Sequence, residues 1–347
     1  MPVSRGKRFA RQFFICDGLV PGESFSIMQK MVLGKSNLEV SELCFGALPM
    51  GPLQKNLTLE TGAAIIARAL KGGINFIDTA QLYGTYEPIR RALRATRIRP
   101  VLASKSMAPD YEGMRAAVEE SLRALEIDDI DIFHLHAARV PEEVDVFTER
   151  AAAWQALQDC KREGLVRAIG VSTHSVPTVR RAATVAEVDI VFPLINKSGA
   201  GILYGTIAEM ETAIRLCLAR NQGVYLMKAL GGGCLVREYH TALSFVREKF
   251  PTPVALGMIS PAEVDYNLAY FQAAATARVD LPPPTVAEKA FCIVNFLCRN
   301  CGSCIKACPN LAIARPDPEG KPQINPARCL RCGYCVGYCP QFAIRLC

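Results

Sequence analysis

No apolar run in the 347-residue chain approaches the roughly 18 residues needed to cross a bilayer. Nor does the opening segment join a sustained hydrophobic stretch to a small-residue cleavage site, as an export signal would. With fifteen cysteines, that absence argues against a secreted disulfide scaffold, which would also be a far shorter chain. The expectation is a cytoplasmic protein with no membrane span. Charge is also sparse: 21% of residues are Asp, Glu, Lys or Arg and 50% are apolar, which disfavours disorder and permits a large core. A dinucleotide-binding GxGxxG is missing after the first predicted strand, where GALPMG fails the spacing, so a doubly wound sheet loses its main support.

The formal charge of +7 is uneven. Residues 1–30 carry five Lys/Arg against two acids, and residues 291–347 carry seven against two. The first segment fits no structural pattern and is expected to be a flexible extension. The second surrounds two candidate iron–sulfur clusters, each with a charge of about −2 when oxidised, which offsets most of the local excess. Nucleic-acid binding is therefore not expected.

Between residues 31 and 276, short apolar runs alternate with helical patterns. The predicted strands are 43–47, 74–78, 101–105, 131–136, 167–171, 189–194, 224–228 and 254–258. Helices are expected over 58–73, 111–126, 146–164 and 206–223, several closed by glycine. Eight β–α units predict an α/β fold, a (β/α)₈ TIM barrel, with a small hairpin ahead of it in MVLGKSNLEVSEL. RVDLPPPT opens a stiff linker over 277–290, and VAEKAFCIVNFL is expected to lead by a helix into a terminal domain over 291–347.

That domain contains C-x₂-C-x₂-C-x₃-C-P twice, at Cys298, Cys301, Cys304, Cys308 and at Cys329, Cys332, Cys335, Cys339. Tight loops supply three thiolates to a cubane, and the fourth cysteine of each run crosses to the other cluster. The expected ligand sets for two [4Fe–4S] clusters are Cys298, Cys301, Cys304 with Cys339, and Cys329, Cys332, Cys335 with Cys308. Zinc sites would pair C-x₂-C units across a longer gap, without a third cysteine two residues on. Cys44, Cys160 and Cys217 fall in strand or helix patterns and are expected in the core.

Active-site groups of such a barrel follow the strand ends. Asp78 ends the second predicted strand, with Tyr83 in the loop beyond, while Lys105 ends the third and His136 the fourth. A buried lysine and aspartate at a barrel mouth are costly unless paired. A lysine cation beside the phenol is expected to lower its pKa toward neutral, giving a general acid suited to a carbonyl oxygen.

NFIDTAQLYG, LASK, DIFHLH and IGVS, in this order, resemble the aldo-keto reductase family, and the whole chain is similar to its iron–sulfur-containing branch. The resemblance implies hydride transfer between a nicotinamide dinucleotide, NAD(P)H, and an aldehyde or ketone. It maps the catalytic Asp–Tyr–Lys–His tetrad onto Asp78, Tyr83, Lys105 and His136. It also places cofactor contacts at Ser172, Asn196, Met227, Lys228, Ser260 and Asn267. Thr173, Phe192 and Met227 stand where the family commonly has Asn, Gln and an aromatic. Ile259 and Glu263 replace basic residues for a 2′-phosphate, which favours NADH. A hydride moves two electrons and a cluster one, so the expected partner is a ferredoxin or a flavoprotein. A flavin bound in place of nicotinamide would also reconcile the counts. The competing reading is a redox sensor or electron-transfer subunit with little carbonyl reductase activity.

Overall fold

The computed structural model describes residues 28–138, 140–233, 235–273, 290–339, 341 and 343–346. Most of the predicted extension and nearly all of the linker lie outside these residues. Met28, within the expected extension, is already buried in the barrel core.

A hairpin of β1 (Lys30–Val32) and β2 (Glu39–Ser41) comes first. Eight parallel strands follow: β3 (Leu43–Gly46), β4 (Phe76–Asp78), β5 (Val101–Ser106), β6 (Ile130–Ala137), β7 (Val166–Thr173), β8 (Ile190–Pro193), β9 (Gly223–Val224) and β10 (Val254–Gly257). Each pairs with the next, β10 pairs with β3, and a single bridge from Leu226 to Val254 joins the two ends. The sheet therefore closes into the expected barrel. The predicted strand over 224–228 is the shortest of the eight. After Val224 its ladder continues only through bridges at Leu226 and Met227, and Lys228 turns out of it with φ of 61°.

The helices between strands are α1 (Leu59–Lys71), α2 (Tyr86–Thr96), α3 (Tyr111–Leu125), α4 (Val146–Glu149), α5 (Ala151–Arg162), α6 (Val176–Ala182), α7 (Ile207–Ala219), α8 (Tyr239–Lys249) and α9 (Pro261–Gln272). Side chains fix their starts: Thr58 caps α1, Asp110 caps α3, and Thr206 with Glu209 forms a reciprocal capping box on α7.

Strand alternation sorts the barrel into two cores. Ile77, Leu102, Phe133, Leu135, Ile169 and Val171 face the helices. Cys44, Phe76, Ala103, Ile132, Ala168, Ile190, Phe192 and Tyr225 fill the interior, and Leu33, Leu38 and Val40 of the hairpin segment join them. Two residues beyond Phe76, Ala103 and Ile132 stand Asp78, Lys105 and His134, with His136 one step further. The same parity that fills the barrel therefore carries these polar groups toward its mouth.

The terminal domain comprises β11 (Phe291–Ile293), α10 (Ser303–Ala307), β12 (Ile313–Ala314), β13 (Gln323–Ile324), α11 (Tyr334–Gly337) and β14 (Ile344–Leu346). β11 pairs antiparallel with β14, and β12 with β13. The helix expected on entry to this domain is not formed over its described part. Phe291–Ile293 is a strand because its partner arrives from the far end of the domain.

Candidate active site

Lys105 and Asp78 are both buried, and the lysine Nζ donates to Asp78 Oδ1 and Oδ2, each at 2.8 Å, and to the carbonyl oxygen of Thr79 at 2.7 Å. All three ammonium protons are thereby used. Burial raises the Asp78 pKa and lowers that of Lys105, and in each case the partner's charge opposes the shift. Tyr225 donates its hydroxyl to Asp78 Oδ1 at 3.0 Å, lies 2.8 Å from His134 Nε2, and stacks on Phe192 with centroids 3.8 Å apart. Gly170 makes room for His134, since a Cβ there would come within 1.8 Å of the Ile190 carbonyl oxygen and 3.0 Å of His134 Nδ1.

Tyr83 follows β4 in a short 3₁₀ turn and presents its ring to Lys105, with Nζ 4.9 Å from the centroid. The ring of His136 stands edge-on to it, 6.1 Å away. The four groups expected at the mouth thus come together. The phenol itself departs from expectation: its pKa is pushed well above the usual value, first by burial and then by Tyr334 and Asp78. The ammonium meets the face of the ring, and its protons go to Asp78 and Thr79, so the hydroxyl gains little from it. Burial also holds His136 well below its usual pKa, with the Lys105 charge adding to the effect.

Of the expected cofactor contacts, Ser172 is buried at the end of β7 and Met227 borders the inner core. Asn196 is engaged by its own loop: Oδ1 accepts from the amides of Ser198 and Ala200, and Nδ2 donates to the Ala200 carbonyl. Ser260 caps α9 by accepting from Glu263 N. Asn267 accepts from Tyr239 and donates to the Glu263 carbonyl, while the Glu263 carboxylate accepts from Ile259 N at 2.7 Å. Gly231, Gly232 and Gly233 all have positive φ, and a Cβ at Gly233 would meet nothing within 4 Å. Ser260 thus starts a capped helix, while the glycine turn is open at Gly233 and closed at Gly232 by the Leu330 carbonyl. Where the resemblance implies nicotinamide contacts, Phe192 stands in place of an amide donor and the Asn196 amide is already committed.

Cys308, Cys329, Cys332 and Cys335 line one cavity with Leu330 and Pro309. Burial raises the Cys335 thiol, and the charges of Cys332, Cys308, Cys329 and Cys304 add to it. Cys304 is raised by burial and then by Cys298 and Cys339. Among the described residues, no group of three or more His, Cys, Asp or Glu is placed to hold a single ion. Thiols spread around a cavity suit a cubane.

Tyr334 was not anticipated from the sequence. Buried, and next to Cys335 in the chain, it places its hydroxyl 3.3 Å from the Tyr83 hydroxyl and 2.9 Å from His136 Nε2. The one sequence signal is a contrast between the cysteine runs, CGSC at 301–304 against CGYC at 332–335. Tight contacts seat the second run on the barrel. A Cβ at Gly333 would lie 2.1 Å from the Leu53 carbonyl oxygen, one at Gly232 would lie 1.9 Å from that of Leu330, and one at Gly201 would lie 2.1 Å from Leu330 Cδ1. Gln54 Nε2 donates to the Cys332 carbonyl at 3.3 Å.

Comparison with known proteins adds two domain matches. The aldo/keto reductase family model matches residues 42–282, and the 4Fe-4S dicluster domain model matches residues 297–343. L-galactose dehydrogenase of Arabidopsis thaliana is 31% identical over 152 residues, covering 40% of this chain and 47% of that protein. The chain spans about half the length of most of the curated relatives it matches. A Pseudomonas aeruginosa protein described as an aldo-keto reductase superposes with a TM-score of 0.59 at 27% identity, covering 70% of this chain and 94% of that one. A Bombyx mori aldo-keto reductase, solved in complex with NADP, shares the fold with a TM-score of 0.54 at 16% identity, covering 70% and 87% of the two chains.

Proposed function

Because the chain belongs to the aldo/keto reductase family and carries a 4Fe-4S dicluster domain, we propose that it interconverts an aldehyde or ketone and its alcohol, with Tyr83 as the proton donor and the clusters linked to a one-electron partner. The observation that carries this reading is the convergence of Tyr83, His136 and the Lys105–Asp78 pair at one rim of the barrel. A nicotinamide dinucleotide would supply the hydride, held at its adenosine end by Ser260, Asn267 and the glycine turn, with Ser172, Met227 and Lys228 near the reacting end. The Glu263 carboxylate disfavours a 2′-phosphate and supports NADH.

As the carbonyl π pair moves onto oxygen, that oxygen takes the Tyr83 proton. A phenol kept protonated by burial is in the right state to give it. His136, held neutral, provides the second contact to the oxygen. Asp78 and Thr79 hold the Lys105 ammonium against the face of the Tyr83 ring, which fixes the phenol's position at the mouth. Tyr83→Phe is expected to lower kcat by about 10²–10⁴-fold for any carbonyl turned over with NADH or NADPH. Unchanged turnover would overturn the assignment.

Cys298, Cys301, Cys304 and Cys339 would hold one cluster, and Cys308, Cys329, Cys332 and Cys335 the other. Cys301 is exposed while Cys332 is buried against the barrel, which supports entry of electrons at the first cluster and passage inward to the second. Exposed Arg299, Lys306 and Arg315 suit an acidic ferredoxin or a flavoprotein. Anaerobic purification with iron and sulfide analysis, and mass detection of bound nucleotide or flavin, tests the cofactor assignment. The sensor reading draws support from the commitment of Asn196 to its own loop and the presence of Tyr334 at the mouth. It predicts nucleotide binding without turnover.

A further inference from the structure

A carbonyl reduced by this tetrad must place its oxygen within reach of both the Tyr83 hydroxyl and His136 Nε2. Another oxygen already occupies that place. The Tyr334 hydroxyl contacts both groups, at 3.3 Å and 2.9 Å, and it comes from the cluster-binding run rather than from the barrel. The contact is built in. Tyr334 is buried among Leu53, Ala80, Tyr83, Ala138 and Cys332, and the glycines at 201, 232 and 333 admit the run only because they lack a Cβ. The equivalent residue of the other run, Ser303, is too short to reach across.

We propose that Tyr334 is a specificity-determining residue of the carbonyl site: its hydroxyl stands in for the substrate oxygen and must be displaced before a carbonyl can bind. This rests on the function proposed above. A carbonyl gains its contacts to Tyr83 and His136 only by breaking those of Tyr334, so the exchange is nearly neutral and weakly bound carbonyls are excluded. Strongly polarised oxygens compete best. Because Tyr334 lies between Cys332 and Cys335, its displacement also moves the segment that lines the inner cluster cavity.

The test uses the cluster-loaded protein and phenylacetate, a non-reducible ligand with a polarised oxygen, followed by calorimetry. Tyr334→Phe keeps the ring and removes the competing oxygen. With two neutral hydrogen bonds no longer to be broken, phenylacetate is expected to bind about tenfold more tightly than to the wild type. KM for a turned-over carbonyl is expected to fall while kcat changes little. Equal affinity in the two proteins overturns the proposal. A residue that only stabilised the domain would instead alter iron content and leave affinity unchanged. In the wild type, saturating phenylacetate is expected to shift the electron paramagnetic resonance of the reduced inner cluster, and binding with an unaltered spectrum also overturns it. Since the ligand is not reduced, failure of carbonyl turnover would count against the proposed function alone.

Discussion

Lys105 gives up all its hydrogen bonds to hold still, and that decides how the buried pair responds to mutation. Asp78→Asn leaves an ammonium in the interior without its counter-ion, an expected cost of about 3–5 kcal/mol. Guanidinium unfolding would measure it, and a loss near zero would show that the lysine finds another partner. Tyr225→Phe removes one donor from the same carboxylate and the partner of the buried His134 Nε2, and should cost about 2–4 kcal/mol. The buried histidines set the acid limit. His134, His136 and His174 all have folded pKa values below that of the free side chain, chiefly through burial, with His174 pushed down to about 3. As pH falls, the unfolded chain takes up these protons first. Their contribution is therefore complete above a pH of about 6.5 and declines below it, by up to roughly 1.4 kcal/mol per pH unit for each histidine. His134→Gln, within the barrel, is expected to flatten the fall in thermal midpoint between neutral and mildly acid pH. Superimposable profiles would contradict this. The four mouth residues were legible because they break an apolar pattern at strand ends. The raised phenol pKa was not, because it follows from burial and from Tyr334, which reaches the mouth from a distant part of the chain.

At the level of elements, the barrel was readable because eight apolar runs and intervening amphipathic helices repeat one local pattern, and the capping residues Thr58, Asp110 and Thr206 sit where that pattern begins. The strand at Phe291–Ile293 was misread as part of a helix because its ladder is formed with residues some fifty positions away. Docking of the second cysteine run was illegible for the same reason, as its partners Leu53, Gly201 and Gly232 lie far apart in the chain. It rests on surfaces shaped by the absence of side chains. Gly232 has φ of 69° and faces the Leu330 carbonyl, so Gly232→Ala is both strained and obstructed. This variant is expected to keep barrel circular dichroism while limited proteolysis cuts ahead of residue 290 faster than in the wild type. Equal cutting rates would show that the domains stay docked.

Over the whole molecule, positive charge concentrates on the terminal domain, where residues 291–347 carry seven Lys/Arg against two acids and Arg299 and Lys306 are exposed in the first cysteine run. Reversing Arg299 and Lys306 to Glu should slow cluster reduction by an acidic ferredoxin or flavodoxin at low salt, and the deficit should shrink as ionic strength rises. Stopped-flow rates that ignore both changes would place the docking face elsewhere. The two halves of that domain are built alike: Gly302 and Gly333 both take left-handed φ, at 75° and 78°, and each starts a short helix. Such a near-duplicate could in principle meet the barrel by either half. Serine in one and tyrosine in the other removes that ambiguity, as a notch on one end of a plug permits a single insertion. Leu330, packed at Gly201 and Gly232 where the first run has Arg299, keys the same orientation, so exchanging serine and tyrosine alone would loosen the seating rather than reverse it.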